Sequence, residues 1–580
     1  CSSDLGDVEV TMQMNGEGAA VWADMTSANI GKAVAIVLDN AIYSAPVVQS
    51  EIPNGRSSIS MGQGTRAEQM REAEDLANIL KAGALPAPAR IVDESVVGPS
   101  LGQKNIDSGL MSFGIALLVV LFYMAFYYRG AGIVSDIALV ANLFFLIGAL
   151  ASLGASLTLP GIAGIVLTIG MSVDANVLIY ERIREELRAG KGLKAAMKEG
   201  YQKAYAAIID ANLTTLLTAF VLAVFGSGPI KGFATTLIIG IFTSLFTAIF
   251  ITRLIFALKT DKGGTVSFAS KGNEGWFTKS SIKFIEKRKV FYVVSLVVVL
   301  AGIGSFFTRG LNLGVDFTGG RTYTVKFNEA VAVDEVRDAL TASFGDAPEV
   351  KTFGGENQVK VTTNFLVAEK TSEADVQVEA KLVEGLGAMA KSYEIIESRK
   401  VDPTISDDIE QSAYLSVVFS LIIIFAYIVF RFRKWQYGLG ALIAMFHDVV
   451  VVLAVFSLFH GFLPFSLEID QAFIAAILTV VGYSINDTVV VFDRIREYLG
   501  MKQKADQKTV INEALNSTLS RTINTSLSTF VVLLTIFLFG GESIRGFVFA
   551  LMIGVVVGTY SSLFIATPSV LDLASKKEEK

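Results

Sequence analysis

Eleven apolar stretches, each long enough to cross a lipid bilayer, constrain the fold of this chain more than any other feature. In lipid every backbone N–H and C=O must be paired internally, so a run of about 20 apolar residues can only be a helix there. We therefore predict a multi-spanning α-helical membrane protein. The predicted spans are 109–128, 133–153, 157–180, 206–225, 233–258, 290–307, 412–430, 439–459, 472–492, 523–540 and 546–567.

Basic connections follow alternate spans and predict how the chain is oriented. Lysine and arginine are enriched in the cytoplasmic connections of membrane proteins. The basic connections are at Arg129, 182–198, 259–289, 431–434 and 494–504, and the chain ends with Lys576, Lys577 and Lys580. We expect the C-terminus to be cytoplasmic. The segments before residue 109 and between residues 308 and 411 are then expected to be extracytoplasmic.

Both outer segments alternate strand and helix signals as small α/β domains do. Residues 8–97 and 315–402 each show the order β-α-β-β-α-β, which is typical of a ferredoxin-like fold. The predicted organisation has seven parts. They are the C-terminal part of a first periplasmic domain (1–105), a first helical bundle (106–258), a cytoplasmic linker (259–289), a single span (290–308), a second periplasmic α/β domain (309–410), a second bundle (411–568) and a cytoplasmic tail (569–580).

The two halves of the chain repeat one another at a spacing of 312 residues. The segment "SVDANVLIYERIREEL" begins at Ser172 and "SINDTVVVFDRIREYL" begins at Ser484, while Gly170 aligns with Gly482. A repeat held over several spans indicates duplication, and an even number of intervening spans gives both copies one orientation. We expect two parallel repeats of about five and six spans. The missing counterpart of one span favours a truncated chain over a lipid-modified N-terminus at Cys1.

Two carboxylates and one cation within the spans are the main candidate residues. An ionised aspartate in hydrocarbon costs roughly 2.5 kcal/mol or more. Burial disfavours the charged carboxylate and a nearby cation favours it, so Asp174 and Asp487 could load and release a proton. The repeat aligns Asp174 with Asn486, one residue or about 100° of helix out of register with Asp487. Arg521 aligns with Ile209, so this cation is not duplicated either.

Other polar residues of the spans are weaker candidates. Asp136 and Asp448 align near the starts of two spans, and Asn524 follows Arg521, so these three are auxiliary candidates for a proton pathway. We interpret Asp210 as a structural charge. We interpret "ERIRE" and "DRIRE" as basic helix ends that anchor the topology.

Composition argues against several other classes of protein. The chain has one cysteine, two histidines and no Gly-rich phosphate loop. We therefore predict no internal disulfide, no metal site, no cofactor and no ATP-driven activity, and we do not expect an enzyme.

The segments that carry these residues resemble the signatures of a known family. "GIAGIVLTIGMSVDANVLIYERIREEL" resembles that of SecD, and "GVDFTGG" (Gly314–Gly320) and "GYSINDTVVVFDRIRE" resemble those of SecF, the two kinds of protein-export subunit of the resistance–nodulation–division superfamily. The resemblance implies a bacterial inner-membrane protein that uses the proton gradient to pull unfolded preprotein outward. By motif, Asp174, Asp487 and Arg521 would form the proton pathway.

The resemblance also implies partners and a missing part. The expected partners are the SecYEG channel, YidC, YajC, the preprotein, membrane lipid and, indirectly, SecA, but no nucleic acid. The head subdomain that grips substrate is expected to be absent from this chain.

Two other functions stay open on the residues alone. One is a proton-driven exporter of lipids or small amphiphiles, although such exporters usually carry larger outer domains than residues 315–402. The other is a translocon scaffold without ion flux, for which neutralising Asp174 would be harmless. Proton and sodium coupling also stay open, because carboxylates serve both.

Overall fold

The computed structural model describes residues 8–38, 41–61, 65–82, 92–155, 157–270, 272, 275–276, 280–369 and 372–578. These residues form two compact units, divided between residues 91 and 92. Cys1, for which the sequence suggests two interpretations, lies outside the described residues.

The first unit is a small α/β domain with two separate antiparallel pairs of strands. The strands are β1 (Glu9–Gln13), β2 (Ile36–Leu38), β3 (Ala41–Ser44) and β4 (Arg56–Ser60), and the helices are Gly16–Ala28 and Arg66–Ala82. β1 pairs with β4 and β2 pairs with β3. Val10, Ile59 and Leu76 form its core, so the second helix packs on the β1–β4 pair. The described strands do not form the single ferredoxin-like sheet that we predicted for this domain.

The strand expected to close that first sheet belongs to the second unit instead. β5 (Asp93–Val97) pairs antiparallel with β9 (Tyr393–Val401), and the Gly98 amide donates to the Ile396 carbonyl at 2.8 Å. Without β5, β9 would be an edge strand with a row of unpaired backbone groups. Pairing with β5 satisfies these groups. The prediction that residues 8–97 complete their own sheet is therefore wrong.

The second α/β domain has the predicted order of elements. They are β6 (Gly320–Phe327), the helix Val333–Phe344, β7 (Glu349–Thr352), β8 (Gln358–Thr363), the helix Ser372–Ala388 and β9. The sheet order is β5-β9-β6-β8-β7, with every pair antiparallel. Without β5 this is the ferredoxin-like arrangement. Both helices pack on one face of the sheet through Val336, Leu340, Val378 and Leu382.

Eleven helices of the described chain are long and apolar enough to span a membrane, as predicted. They are TM1 (Pro99–Tyr128), TM2 (Gly130–Ser152), TM3 (Leu159–Arg188), TM4 (Leu193–Phe225), TM5 (Gly228–Asp261), TM6 (Arg288–Thr308), TM7 (Pro403–Phe432), TM8 (Trp435–Phe459), TM9 (Gln471–Met501), TM10 (Gln507–Phe539) and TM11 (Glu542–Ala574). Five belong to the first repeat and six to the second. A π-helical turn interrupts TM5 at Thr247–Ile251 and TM11 at Ser562–Ala566, so this irregularity is also repeated.

TM3 and TM9 form the centre of the bundle. Each is 89% buried over its most apolar window, whereas TM6 is only 17% buried there and lies at the periphery. A Cβ on Gly170 of TM3 would lie 3.3 Å from the Cα of Thr529 on TM10. A Cβ on Gly482 of TM9 would lie 2.6 Å from Thr218 Oγ1 on TM4. The two aligned glycines therefore allow two equivalent close helix crossings, TM3 against TM10 and TM9 against TM4. Each crossing joins one repeat to the other, so the repeats meet face to face as predicted.

The bundle has two ends that are distinguished by what packs on them. At the sheet end, the five-stranded sheet contacts TM9 where Asp316 accepts from the Gln471 amide at 2.9 Å. At the linker end, the segment between TM5 and TM6 contacts TM2 and TM10, where the Ala131 amide donates to the Ser267 carbonyl at 2.9 Å. The helix of TM11 continues as regular structure to Glu578, into the region predicted as a tail.

Candidate functional site

The structure brings the three main candidate residues together inside the bundle. Asp174 lies on TM3, Asp487 on TM9 and Arg521 on TM10, so both repeats contribute. Both aspartates are 5% exposed. The two carboxylates interact electrostatically with one another and with the Arg521 guanidinium. The predicted position at the interface of the repeats is therefore correct, while the role of these residues in a proton pathway stays a prediction.

These charged groups have few hydrogen-bond partners for their degree of burial. Neither carboxylate oxygen of Asp174 has a partner among the described residues. The neighbouring Ser528 hydroxyl donates to the Thr525 carbonyl instead, at 2.8 Å. Asp487 accepts one bond, from Ser526 at 3.3 Å, and Nη2 of Arg521 has no partner within the described part of the chain. Buried polar groups are nearly always paired, so this concentration of unpaired atoms calls for a functional explanation.

TM10 places a run of small polar side chains beside the carboxylates. Its buried members are Thr522, Asn524, Thr525, Ser526, Ser528 and Thr529. Asn524 joins the repeats, because it accepts from the Tyr123 hydroxyl of TM1 and donates to the Tyr127 hydroxyl, each at 3.0 Å. The polar run lies on the same helix as Arg521, and one of its members, Ser526, donates to Asp487.

The aligned auxiliary candidates Asp136 and Asp448 have different surroundings. Asp448 is fully buried and its oxygens contact His447 Nδ1 at 2.9 Å, Ser484 Oγ at 2.5 Å and Ser561 Oγ at 2.7 Å. Asp136 is partly exposed, and its Oδ1 has no partner among the described residues. Asp448 thus has the contacts of a structural group, whereas Asp136 does not.

Two further charges confirm and correct the interpretations made from sequence. Asp210 accepts from the Tyr427 hydroxyl at 2.7 Å and pairs with Arg431 at 2.6 Å, as expected of a structural charge.

Glu181, by contrast, is not on a solvated helix end. It is 5% exposed, pairs with Arg184 at 2.6 Å and accepts from the Tyr128 hydroxyl at 3.1 Å. The interpretation of "ERIRE" as a topology anchor alone is wrong, because TM1 and TM10 cover this helix end.

A cavity of about 790 Å³ opens at the linker end and reaches this region. Glu181, Arg182 and Arg494 line it, and so does Arg521 of the candidate site. The sequence contains no direct signal for this cavity, because its lining comes from TM3, TM4, TM9, TM10 and the linker, which are far apart in the chain.

At the sheet end, the motif "GVDFTGG" attaches the sheet to the start of TM9. Asp316 accepts from the Gln471 amide and pairs with Arg399 of β9 at 2.5 Å. Gly319 and Gly320 have φ of 67° and 114°, conformations that favour glycine and explain the double glycine. The motif therefore fixes the sheet to the helix that carries Asp487.

Three carboxylates crowd this junction, and their environments differ. Burial, together with the neighbouring carboxylates of Asp316 and Glu468, raises the pKa of Asp470 to about 6. Burial acts in the same direction on Glu468, but the Lys360 ammonium at 2.6 Å outweighs it and lowers the pKa of that carboxyl.

A duplicated helical bundle with unpaired ionisable groups between its halves defines a class of polytopic membrane proteins, in which such groups are typical of ion-coupled transport. Within that class, this chain belongs to the SecD/SecF family. The family described as "Protein export membrane protein SecD/SecF, C-terminal" matches residues 81–261 and 381–576. The SecD/SecF GG motif matches residues 304–331, which include the double glycine.

Relatives match both the whole chain and its halves. The protein translocase subunit SecDF of Brucella abortus biovar 1 (strain 9-941) is 34% identical over 579 residues, which are 100% of this chain and 74% of that protein. SecD of Rhodothermus marinus is 57% identical over 44% of this chain and 40% of its own length. SecF of the same organism is 44% identical over 52% of this chain and 96% of its own length.

A solved structure has the same fold. The crystal structure of SecDF, a translocon-associated membrane protein from Thermus thermophilus, superposes with a TM-score of 0.79 at 33% identity. It covers 99% of this chain and 76% of its own. A super-membrane-facing form of SecDF gives a TM-score of 0.66 at 33% identity, covering 100% of this chain and 76% of its own.

The comparisons correct one expectation about the first unit. Residues 2–87 match the SecDF P1 head subdomain, so the prediction that the head is absent is wrong. The error arose because residues 8–97 were interpreted as a ferredoxin-like fold. That interpretation assigned them to the part of the first periplasmic domain that follows the head.

Proposed function

We propose that this chain is an accessory subunit of the Sec protein translocase that uses the proton motive force to promote late translocation of preproteins. The observation that carries the proposal is the group formed by Asp174, Asp487 and Arg521. Its two aspartates are buried between the repeats, its arginine is partly buried, and the three side chains have few hydrogen-bond partners among the described residues. A carboxylate that accepts few or no hydrogen bonds is free to alternate between protonated and charged states, and each change alters how the two repeats attract one another.

The sheet-end junction offers a route from this group to the five-stranded sheet. Asp487 lies on TM9. The amide of Gln471, the first residue of TM9, donates to Asp316, and Asp316 pairs with Arg399 of β9. A shift of TM9 that follows protonation would therefore move the sheet. The membrane potential supplies about 2.3 kcal/mol per elementary charge at 100 mV, which suits a modest rotation that stops a polypeptide from sliding back.

The protein would lie in the bacterial inner membrane with its linker end and C-terminus in the cytoplasm and its sheet end outside. It would work beside SecYEG, with YidC and YajC as further partners and SecA indirectly involved, on unfolded preprotein. The carboxylates would bind protons rather than sodium ions.

Translocation of a preprotein into vesicles, with and without a proton gradient, tests the proposal. Asp174→Asn, Asp487→Asn and Arg521→Met should each abolish the gradient-dependent stimulation while the protein still folds and inserts. Asp210→Asn serves as the matched control, because it removes a buried but paired carboxylate from TM4, and stimulation should persist.

Two outcomes would overturn parts of the proposal. Full gradient-dependent export by Asp487→Asn would eliminate the proton pathway and leave a scaffold role. Stimulation that survives a protonophore but is lost when sodium is replaced by potassium would show that sodium is the coupling ion.

A further inference from the structure

Four charged side chains of the two "RIRE" motifs form a closed ring at the linker end. Arg182 and Arg494 both donate to Oε2 of Glu185, at 2.7 and 2.9 Å. The same two arginines donate to Oε2 of Glu497, at 2.5 and 2.9 Å. Positive and negative groups therefore alternate around the ring, and each member contacts two of opposite sign. We call these four residues the charge ring.

The charge ring follows the symmetry of the repeat, unlike the candidate site. Arg182 aligns with Arg494 and Glu185 with Glu497 at the 312-residue spacing. Two of its four contacts lie within a helix, at i and i+3, and the other two join TM3 to TM9. The side chains are 12–31% exposed, so solvent screens these contacts less than it screens ion pairs on an open surface.

The ring lies close to the candidate site along both central helices. Arg182 follows Asp174 by eight residues and Arg494 follows Asp487 by seven, which places the ring about 10 to 12 Å further along the helix axes. Arg182, Glu185 and Arg494 line the linker-end cavity, which Arg521 also lines. A change in the ring therefore acts on the space through which water reaches Arg521.

We propose that the charge ring is a latch that holds TM3 and TM9 together at the linker end and limits the passage of water from this cavity beyond Arg521 to Asp487. The inference rests on the proposed function, because an ion path that is open at both ends would dissipate the gradient. Opening the latch breaks only the two contacts between helices. Each helix keeps its own arginine–glutamate pair, so no charge is left uncompensated in the open state.

Charge exchange within one helix tests the latch while the composition stays constant. The double variant Arg182→Glu/Glu185→Arg keeps the net charge and the pair within TM3, but it places like charges against Glu497 and Arg494. Adding Arg494→Glu/Glu497→Arg restores the alternation around the ring. Because both charge-exchange variants keep the number of basic residues, the predicted membrane orientation is unaffected.

The first measurement is the labelling rate of a cysteine in the cavity by a membrane-impermeant maleimide in lipid nanodiscs. Ala207 lines the cavity and is 5% exposed, so Ala207→Cys in a Cys1→Ser background reports opening. The double variant should label about tenfold faster, equivalent to about 1.4 kcal/mol, and the quadruple variant should return to the original rate. The milder Arg182→Met should give a smaller increase. Equal rates in all variants, or failure of the quadruple variant to restore the rate, would overturn the latch.

The second measurement is proton leak in proteoliposomes of the full chain. The double variant should leak faster than the unchanged protein, and adding Asp487→Asn should stop the leak. A leak that persists without Asp487 would refute the assignment of this route to the candidate site. The labelling measurement needs no gradient, so a failure of the proposed function in the export assay would be distinguishable from a failure of the latch.

Discussion

Neutralising Asp174 and neutralising Asp210 should have opposite consequences, although both are buried aspartates of the first repeat. The carboxylate of Asp210 pairs with the Arg431 guanidinium at 2.6 Å and accepts from the Tyr427 hydroxyl at 2.7 Å. The carboxylate of Asp174 has no hydrogen-bond partner among the described residues. Replacement by asparagine changes the size of either side chain very little. The difference in their contacts should therefore dominate the result.

The magnitudes follow from the contacts that each substitution removes. Breaking a buried ion pair from one side costs about 3–5 kcal/mol, and hydrogen bonds to charged groups contribute about 1.5–3 kcal/mol. The Arg431 side chain is 21% exposed, so water compensates part of the loss. We expect Asp210→Asn to lower the free energy of unfolding by about 2 kcal/mol. Asp174→Asn removes no hydrogen bond of the described residues, and the repulsion by Asp487 that it relieves opposes the attraction to Arg521 that it loses. It should leave the free energy of unfolding unchanged or raise it by up to about 1 kcal/mol.

Equilibrium unfolding of the purified protein in mixed micelles would measure these free energies, and proton uptake in proteoliposomes would measure function. Asp174→Asn should keep its stability and lose gradient-dependent uptake, whereas Asp210→Asn should do the reverse. A loss of about 2 kcal/mol in Asp174→Asn would show that Asp174 has a structural partner. Its unpaired oxygens would then be no sign of a functional role.

Two further predictions concern the sheet-end junction and the central helix crossing. Because burial raises the pKa of Asp470 to about 6, the folded state holds its proton more tightly than the unfolded chain, so stability should fall by about 2 kcal/mol as pH rises from about 4 to about 6. Asp470→Asn, which can still cap TM9, should flatten this dependence in unfolding curves measured across that range. Gly482→Val should cost at least about 2 kcal/mol, because a Cβ there would lie 2.6 Å from Thr218 Oγ1. Gly170→Ala, where the corresponding closest distance is 3.3 Å, should cost less in the same assay.

The spans could be predicted from sequence because length and apolarity alone decide whether a segment can cross a bilayer. Their ends could not. TM4 begins at Leu193 rather than near residue 206, and TM10 begins at Gln507 rather than near residue 523. These first turns are polar enough to leave the hydrocarbon, so hydropathy does not detect them, yet they continue the same helices into the linker-end cavity.

The main candidate residues were also visible in the sequence, because a charge inside an apolar run is rare and costly. Glu181 was not, since its burial depends on Tyr128 of TM1 and Ser520 of TM10, which only the tertiary structure brings to it. The pairing of β5 with β9 was missed for a similar reason. Strand partners about 300 residues apart have no local signal, and a periodic pattern shows that a strand exists without showing where it pairs.

The β5–β9 pairing has a consequence for how the two halves stay associated. β5 precedes the first repeat in the chain, whereas β9 leads into TM7 of the second, so the sheet is a noncovalent joint between halves that the linker also connects covalently. A protein cut in that linker would retain the joint by strand addition, with one half completing the sheet of the other. The covalent connection then chiefly fixes a one-to-one stoichiometry and raises the effective concentration of each half for the other.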